Sequence, residues 1–182
     1  MGKLIYHVHV SVDGFVEGPG GVFDWAEMGP ELSDYGAELD GRVRTLLYGR
    51  KVWEVMSSYW PKAEEVSDHP HDLRYAPVWR SKPKAVVSRT LETAGWNTRV
   101  LDGPEGVRKL KEEGDVLLNG GAGLAGALAD AGLVDEFLVM VHPVVLGGGR
   151  RVLPVDGRVG LRLEEARVFD GRVTLLRYSR EV

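Results

Sequence analysis

At 182 residues the chain suits one domain with a sizeable core, and its lack of cysteine excludes disulfides, thiolate catalysis and cysteine-ligated metals. With 23 Lys and Arg against 27 Asp and Glu, the formal charge is −4, so nucleic acid and anionic membrane are not expected as partners. No apolar run reaches membrane-spanning length. Residues 1–10, broken by His7 and His9, read as a first strand rather than a signal peptide, so a cytoplasmic protein is expected.

Residues 3–12 are β-branched and aromatic and end at Asp13-Gly14, a turn signal. Residues 15–30 hold four glycines and read as a long, mobile loop over one edge of the fold. Residues 31–42 form a helix with Leu32, Tyr35 and Leu39 on one face. A short buried strand over 45–48 ends at Gly49. A helix over 50–57 follows, with Val52, Val55 and Met56 turned inward. Residues 59–82, with Pro61, Pro70 and Pro77, read as irregular. Residues 84–88 are a strand, Val100 is the centre of another, and 104–113 form a helix with Pro104 near its start.

Residues 115–119 are an apolar strand that runs into Gly120-Gly121-Ala122-Gly123, and 124–131 form a helix stopped by Gly132. Residues 134–145 read as a long strand and 147–151 as a loop. Residues 161–169 and 173–179 form a hairpin joined by Asp170-Gly171. Strands alternating with helices, then a closing hairpin, define a single α/β domain over 1–182. Its sheet is mainly parallel with an antiparallel edge.

Ligands in such folds sit where strand C-termini meet helix N-termini. Three places carry that chemistry. Gly120 to Leu124 lets backbone approach a ligand closely at the positive end of a helix. Gly49-Arg50-Lys51 puts two cations at a helix start, where they oppose the dipole unless an anion joins them. Ser88-Arg89 puts a hydroxyl and a guanidinium just past a strand. Together the three suit an extended ligand with several phosphates, a dinucleotide. A tight strand-to-helix turn and solvated surface charge account for each one alone equally well. His7 and His9 share a face at metal-compatible spacing without an evident third ligand, and read as core or surface residues. His69 and His71 read as loop. Trp25 and Trp60 can wall a pocket for a flat substrate.

The segments Val10-Ser11-Val12-Asp13-Gly14-Phe15, Phe23-Asp24-Trp25 and Leu47-Tyr48-Gly49-Arg50-Lys51 occur in order with Val87-Ser88-Arg89, Leu118-Asn119-Gly120-Gly121-Ala122-Gly123 and His142-Pro143-Val144-Val145-Leu146-Gly147-Gly148-Gly149. Across nearly the whole chain this resembles the dihydrofolate reductase-like superfamily, and within it the reductase domain of the bacterial riboflavin-biosynthesis deaminase–reductase. The resemblance implies NADPH as cofactor. Gly49, Arg50 and Lys51 would meet its phosphates, and Ser88 and Arg89 its 2′-phosphate. Gly120, Gly121, Ala122, Gly123 and Leu124 would meet its pyrophosphate. His9, Val10 and Val16 would lie near the nicotinamide.

Two departures bear on the substrate. Asn119 stands where the riboflavin-type reductase usually has glutamate, and Val52 where threonine is common in true dihydrofolate reductases. Asn119 would form the floor of the substrate pocket, and the proton would come from water or a carboxylate, Asp13 or Glu31. The expected function is NADPH-dependent hydride transfer to a small heterocycle or carbonyl compound. The alternatives are a non-catalytic nucleotide-binding or sensor protein, a true dihydrofolate reductase, and a riboflavin-pathway pyrimidine reductase. Val139, Val141 and Val145 are too apolar for one small helix to cover, and a homodimer is expected there.

Overall fold

A computed structural model describes residues 1–181. Its ten strands are β1 (Leu4–Ser11), β2 (Phe15–Glu17), β3 (Thr45–Gly49), β4 (Lys84–Val87), β5 (Thr98–Leu101), β6 (Val116–Asn119), β7 (Glu136–His142), β8 (Arg150–Arg151), β9 (Leu161–Phe169) and β10 (Val173–Arg180). Its six α-helices are α1 (Pro30–Arg42), α2 (Arg50–Tyr59), α3 (Ala63–Val66), α4 (Pro70–Ser81), α5 (Gly103–Glu112) and α6 (Ala122–Asp130). Eight strands form one sheet in the order β5-β4-β3-β6-β1-β7-β10-β9. All pairings from β5 to β7 are parallel, and β10 and β9 close the sheet antiparallel.

The helices divide by the direction in which the chain crosses the sheet. From β1 the chain moves toward β5 through α1 and the α2–α4 segment, which cover one face. From β5 it returns through α5 and α6, which cover the other. Right-handed crossovers in opposite directions must lie on opposite faces. The first face packs Ile5, Leu46 and Leu117 against Leu32, Leu39, Ala76 and Trp79. The second packs Leu4, Tyr6, Val8, Leu47 and Leu118 against Val107, Leu110, Ala125 and Leu128.

Four local readings are corrected. Residues 59–82 are mainly helical. Pro70 occupies the first turn of α4, where a missing N–H costs nothing, and Pro77 is tolerated on an exposed side. Val55 is 62% exposed, because the inward face of α2 is set by Val52, Trp53 and Met56. The strand expected over 134–145 is only β7. Pro143 ends it by lacking a ladder donor, and Val145 lies beyond it, exposed.

The segments expected as loops at 15–30 and 147–151 are tied together. β2 pairs with β8, the Val152 N–H donates to the Gly14 carbonyl (3.0 Å), and Arg150 pairs with Glu17 (2.6 Å). Glycine is required at Gly149. Its φ is +121°, and a Cβ there would fall 1.9 Å from the Glu17 carbonyl oxygen. Among the described residues, no helix is long and apolar enough to cross a membrane.

Candidate active site

Because β3, β4, β6, β1 and β7 run parallel, their C-terminal ends share one edge. At that edge β3 passes through Gly49 into α2, and β6 passes through Gly120 and Gly121 into α6. The two helix starts adjoin. A Cβ on Gly121 would lie 3.8 Å from the Gly49 backbone nitrogen, and one on Gly49 would lie 3.6 Å from Leu124 Cβ. Gly121 has φ +72° and caps α6 with no side-chain bond, and Gly49 caps α2 likewise. The first-turn N–H groups of both helices are therefore left for an outside acceptor. Gly120 differs, because its N–H already donates to the His7 carbonyl (2.9 Å).

The cations converge on the same place. Arg50 donates to Glu54 (2.7 Å) and to Thr90 Oγ1 (2.5 Å), which holds its guanidinium over the turn after β4. In that turn Ser88 Oγ accepts from the N–H groups of Thr90 and Leu91, leaving its own hydroxyl proton free to donate. Arg89 and Lys51 are exposed. Adjacent uncapped helix starts with three cations around them fit a polyphosphate bridge.

The other half of the edge is lined by rings. On β1, His7 and His9 face the α4 side, while Val10 faces the α6 side by strand alternation. His9, Val10 and Val16 are thus divided between the two faces, with Val16 packed on the α6 side. His9 Nδ1 and His142 Nε2 are 2.7 Å apart. His7 Nδ1 donates to Asn119 Oδ1 (3.1 Å). Trp25 meets the His142 ring edge-on with centroids 5.4 Å apart, and its indole N–H is buried without a partner among the described residues.

Across from these, Trp60 packs on His71 and Tyr75, and His71 Nδ1 bonds Ser33 Oγ (2.9 Å). His71 is therefore half-buried in the wall of the site, a correction to its reading as solvated loop. The imidazole groups are neutral. Burial pushes His7 and His9 below the ordinary value. Burial and then the charge of Arg172 push His142 down to about 4.

The two carboxylates considered as proton donors serve the backbone. Asp13 accepts from the amides of Leu146 (3.0 Å) and Gly147 (2.7 Å). The Ser11 hydroxyl and these amides hold it well below the usual carboxylate range. Glu31 accepts from the Asp170 amide, and Asp170 returns bonds to the amides of Glu31 and Leu32 at the start of α1. Sequence reasoning missed His142 as the partner of His9. The signal lay in the parallel register of β1 and β7, which places Ser11 opposite His142.

A mainly parallel sheet closed by an antiparallel pair, with glycine-headed helices at its C-terminal edge, defines an α/β protein of the dihydrofolate reductase-like class. Residues 2–175 match the RibD C-terminal domain family, and the chain belongs to it. YyaP of Bacillus subtilis strain 168, an uncharacterized protein, is 34% identical over 97% of this chain and 94% of its own.

A putative riboflavin biosynthesis protein from Shewanella sp. PV-4 superposes with a TM-score of 0.75, at 21% identity and full coverage of both chains. Dihydrofolate reductase from Enterococcus faecalis complexed with NADP(H) superposes at 0.66, with 14% identity over 99% of this chain and 97% of that one. RibD of Acinetobacter baumannii superposes at 0.71, with 18% identity over all of this chain and 59% of that one. Family and fold support a reductase-type function.

The neutral histidines fix a pH dependence. Below pH 6.5 the unfolded chain takes up protons that folded His7, His9 and His142 do not, so stability falls as pH falls. Asp40, pushed by burial up to about 6, works the other way and offsets part of the loss. Urea unfolding should show lower stability at pH 5 than at pH 7. His9→Gln should shrink that difference by about 2 kcal/mol. An unchanged difference in the variant would contradict the placement of His9 as a buried neutral group.

Proposed function

We propose that the chain is an NADPH-dependent reductase acting on a small, neutral carbonyl or heterocyclic substrate. The observation that carries this reading is the adjacency of the two uncapped helix starts at Gly49 and Gly121, with Arg50, Lys51 and Arg89 around them. The amides of Gly121, Ala122, Gly123 and Leu124 would hold the pyrophosphate, and Ser88, Arg89 and Arg50 the 2′-phosphate. When bound, the reduced nicotinamide supplies hydride. The chain's own residues do the rest. His9 and Asn119 offer hydrogen bonds to the reacting group, and Trp25 and Trp60 bracket a flat ring and exclude water.

The substrate side favours a neutral compound over a phosphorylated one. Its named polar groups, His7, His9, His71, His142, Asn119 and the Trp25 indole, are all uncharged near neutral pH. Asn119 is bonded to His7 and cannot titrate, so the position that is glutamate in the riboflavin-type enzyme does not move a proton here. The riboflavin-pathway pyrimidine is accordingly expected to be a poor substrate.

We also propose a two-fold homodimer through the face of β7, β10 and β9. In register, Val141, Thr174 and Val168 form one row, Val139, Leu176 and Ala166 a second, and Tyr178 with Leu163 a third. Val168 and Leu163 are 57% and 54% exposed, so the patch is apolar where a monomer would present polar groups.

Two outcomes test these readings. Arg89→Ala should weaken NADPH binding by about tenfold while leaving NADH binding nearly unchanged, measured by calorimetric titration. Equal losses for the two cofactors would sink the 2′-phosphate assignment. Light scattering at micromolar concentration should give twice the 20.0 kDa chain mass, and Leu176→Glu should halve it. A monomeric mass for the unmodified protein would refute the dimer.

A further inference from the structure

The rings on the α4 side of the sheet form a continuous polar line, where a buried sheet face would ordinarily be apolar. Tyr48, Asn119 and His7 stand side by side on β3, β6 and β1. Trp79 Nε1 donates to the Tyr48 hydroxyl (3.1 Å), and His7 bonds Asn119 (3.1 Å). The His7 and His9 rings meet edge-on at 5.1 Å, and His9 bonds His142 at 2.7 Å.

The line runs from His9, which is partly exposed, to His142, which is 2% exposed. His142 lies in the field of Arg172 and Glu27, which form an exposed ion pair between the β9–β10 turn and the loop before α1. His9, at the other end, lies in the fields of His7 and of His71 from α4. Those four groups, with His9 and His142 themselves, are the titratable residues the structure sets against the pair.

Two imidazoles at 2.7 Å share one proton, because one nitrogen must donate and the other accept. A neutral imidazole can also take a proton at one nitrogen while releasing one from the other. Desolvating two rings is costly, and the bond between them offsets part of that cost. Asp13 and Glu31 are bonded to backbone amides, and Glu27 is paired with Arg172.

We propose that His9 and His142 form a proton relay from the Glu27–Arg172 surface to the substrate held over His9. The inference rests on the reductase reading. As hydride from the reduced nicotinamide forms the new C–H bond, the π pair of the substrate's C=O or C=N bond moves to its heteroatom. His9 Nε2 gives that atom its proton. His9 Nδ1 takes one from His142 Nε2, and His142 Nδ1 takes one from solvent. Both rings begin and end neutral with their tautomers exchanged, and the net proton comes from water. His9 is then the catalytic residue, and His142 positions and recharges it.

The first test needs no substrate. In ligand-free protein labelled with 15N-histidine, NMR should detect coupling across the hydrogen bond between His9 Nδ1 and His142 Nε2. Its absence overturns the relay whatever the protein's activity. The second test is NADPH oxidation with a panel of neutral quinones, dicarbonyls and conjugated ketones. His142→Gln and His142→Ala should each lower kcat by roughly a hundredfold without changing NADPH affinity. The solvent deuterium isotope effect should grow, and free imidazole should restore part of the rate to His142→Ala. A His142→Gln enzyme with the wild-type kcat, pH profile and isotope effect overturns the relay and leaves the reductase reading standing. A wild-type protein that oxidises NADPH with no member of the panel overturns both.

Discussion

Strand β1 is held between β6 and β7, paired with the first from Leu4 to His7 and with the second from Ile5 to Ser11. The C-terminal edge is built from that double pairing. It sets His7 beside Asn119, brings His142 within reach of His9, and engages the Gly120 N–H with the His7 carbonyl. Gly121 is then left to turn, in a left-handed conformation, into α6. Beyond β1, Asp13 holds the amides of Leu146 and Gly147, so the strand also fixes the loop after β7. A one-residue slip of β1 would exchange its two faces, turning both histidines onto the α6 side and the valines onto the α4 side.

The edge has two halves of different chemistry. Where β3, β4 and β6 end, amides and cations look outward and the ligand they suit is an anion. Where β1 and β7 end, the groups are neutral rings and the ligand they suit is flat and uncharged. The second half is kept neutral by burial, which disfavours imidazolium. The same burial makes the fold acid-sensitive, so a property of the site is also a property of stability. Only the first half resembles a general nucleotide cradle. The second depends on histidine at positions 7 and 9.

Much of this was legible in the sequence, for identifiable reasons. The three strand ends at Gly49, Ser88 and Gly120 carry their signals locally, as glycine, cation and apolar run within a few residues. The closing hairpin is written in Asp170-Gly171, although Asp170 itself caps α1 from 138 positions beyond Leu32. What the sequence did not disclose depends on pairing. His9 and His142 are 133 positions apart and meet only because β1 and β7 are neighbours. Helix α4 was hidden because its two prolines read as breakers until the first was seen to occupy the helix start. The β2–β8 ladder was hidden by glycines that mark it as loop, although one of them, Gly149, is what permits the strands to approach.

The central claim is that one NADPH lies along this edge with its phosphates between α2 and α6. Backbone-amide shift mapping on addition of NADPH tests it most directly. The largest changes should fall on Gly49–Lys51, Ser88–Thr90 and Gly121–Leu124, saturating at one NADPH per chain. Changes that are absent at millimolar NADPH, or centred away from the C-terminal edge of the sheet, would contradict it.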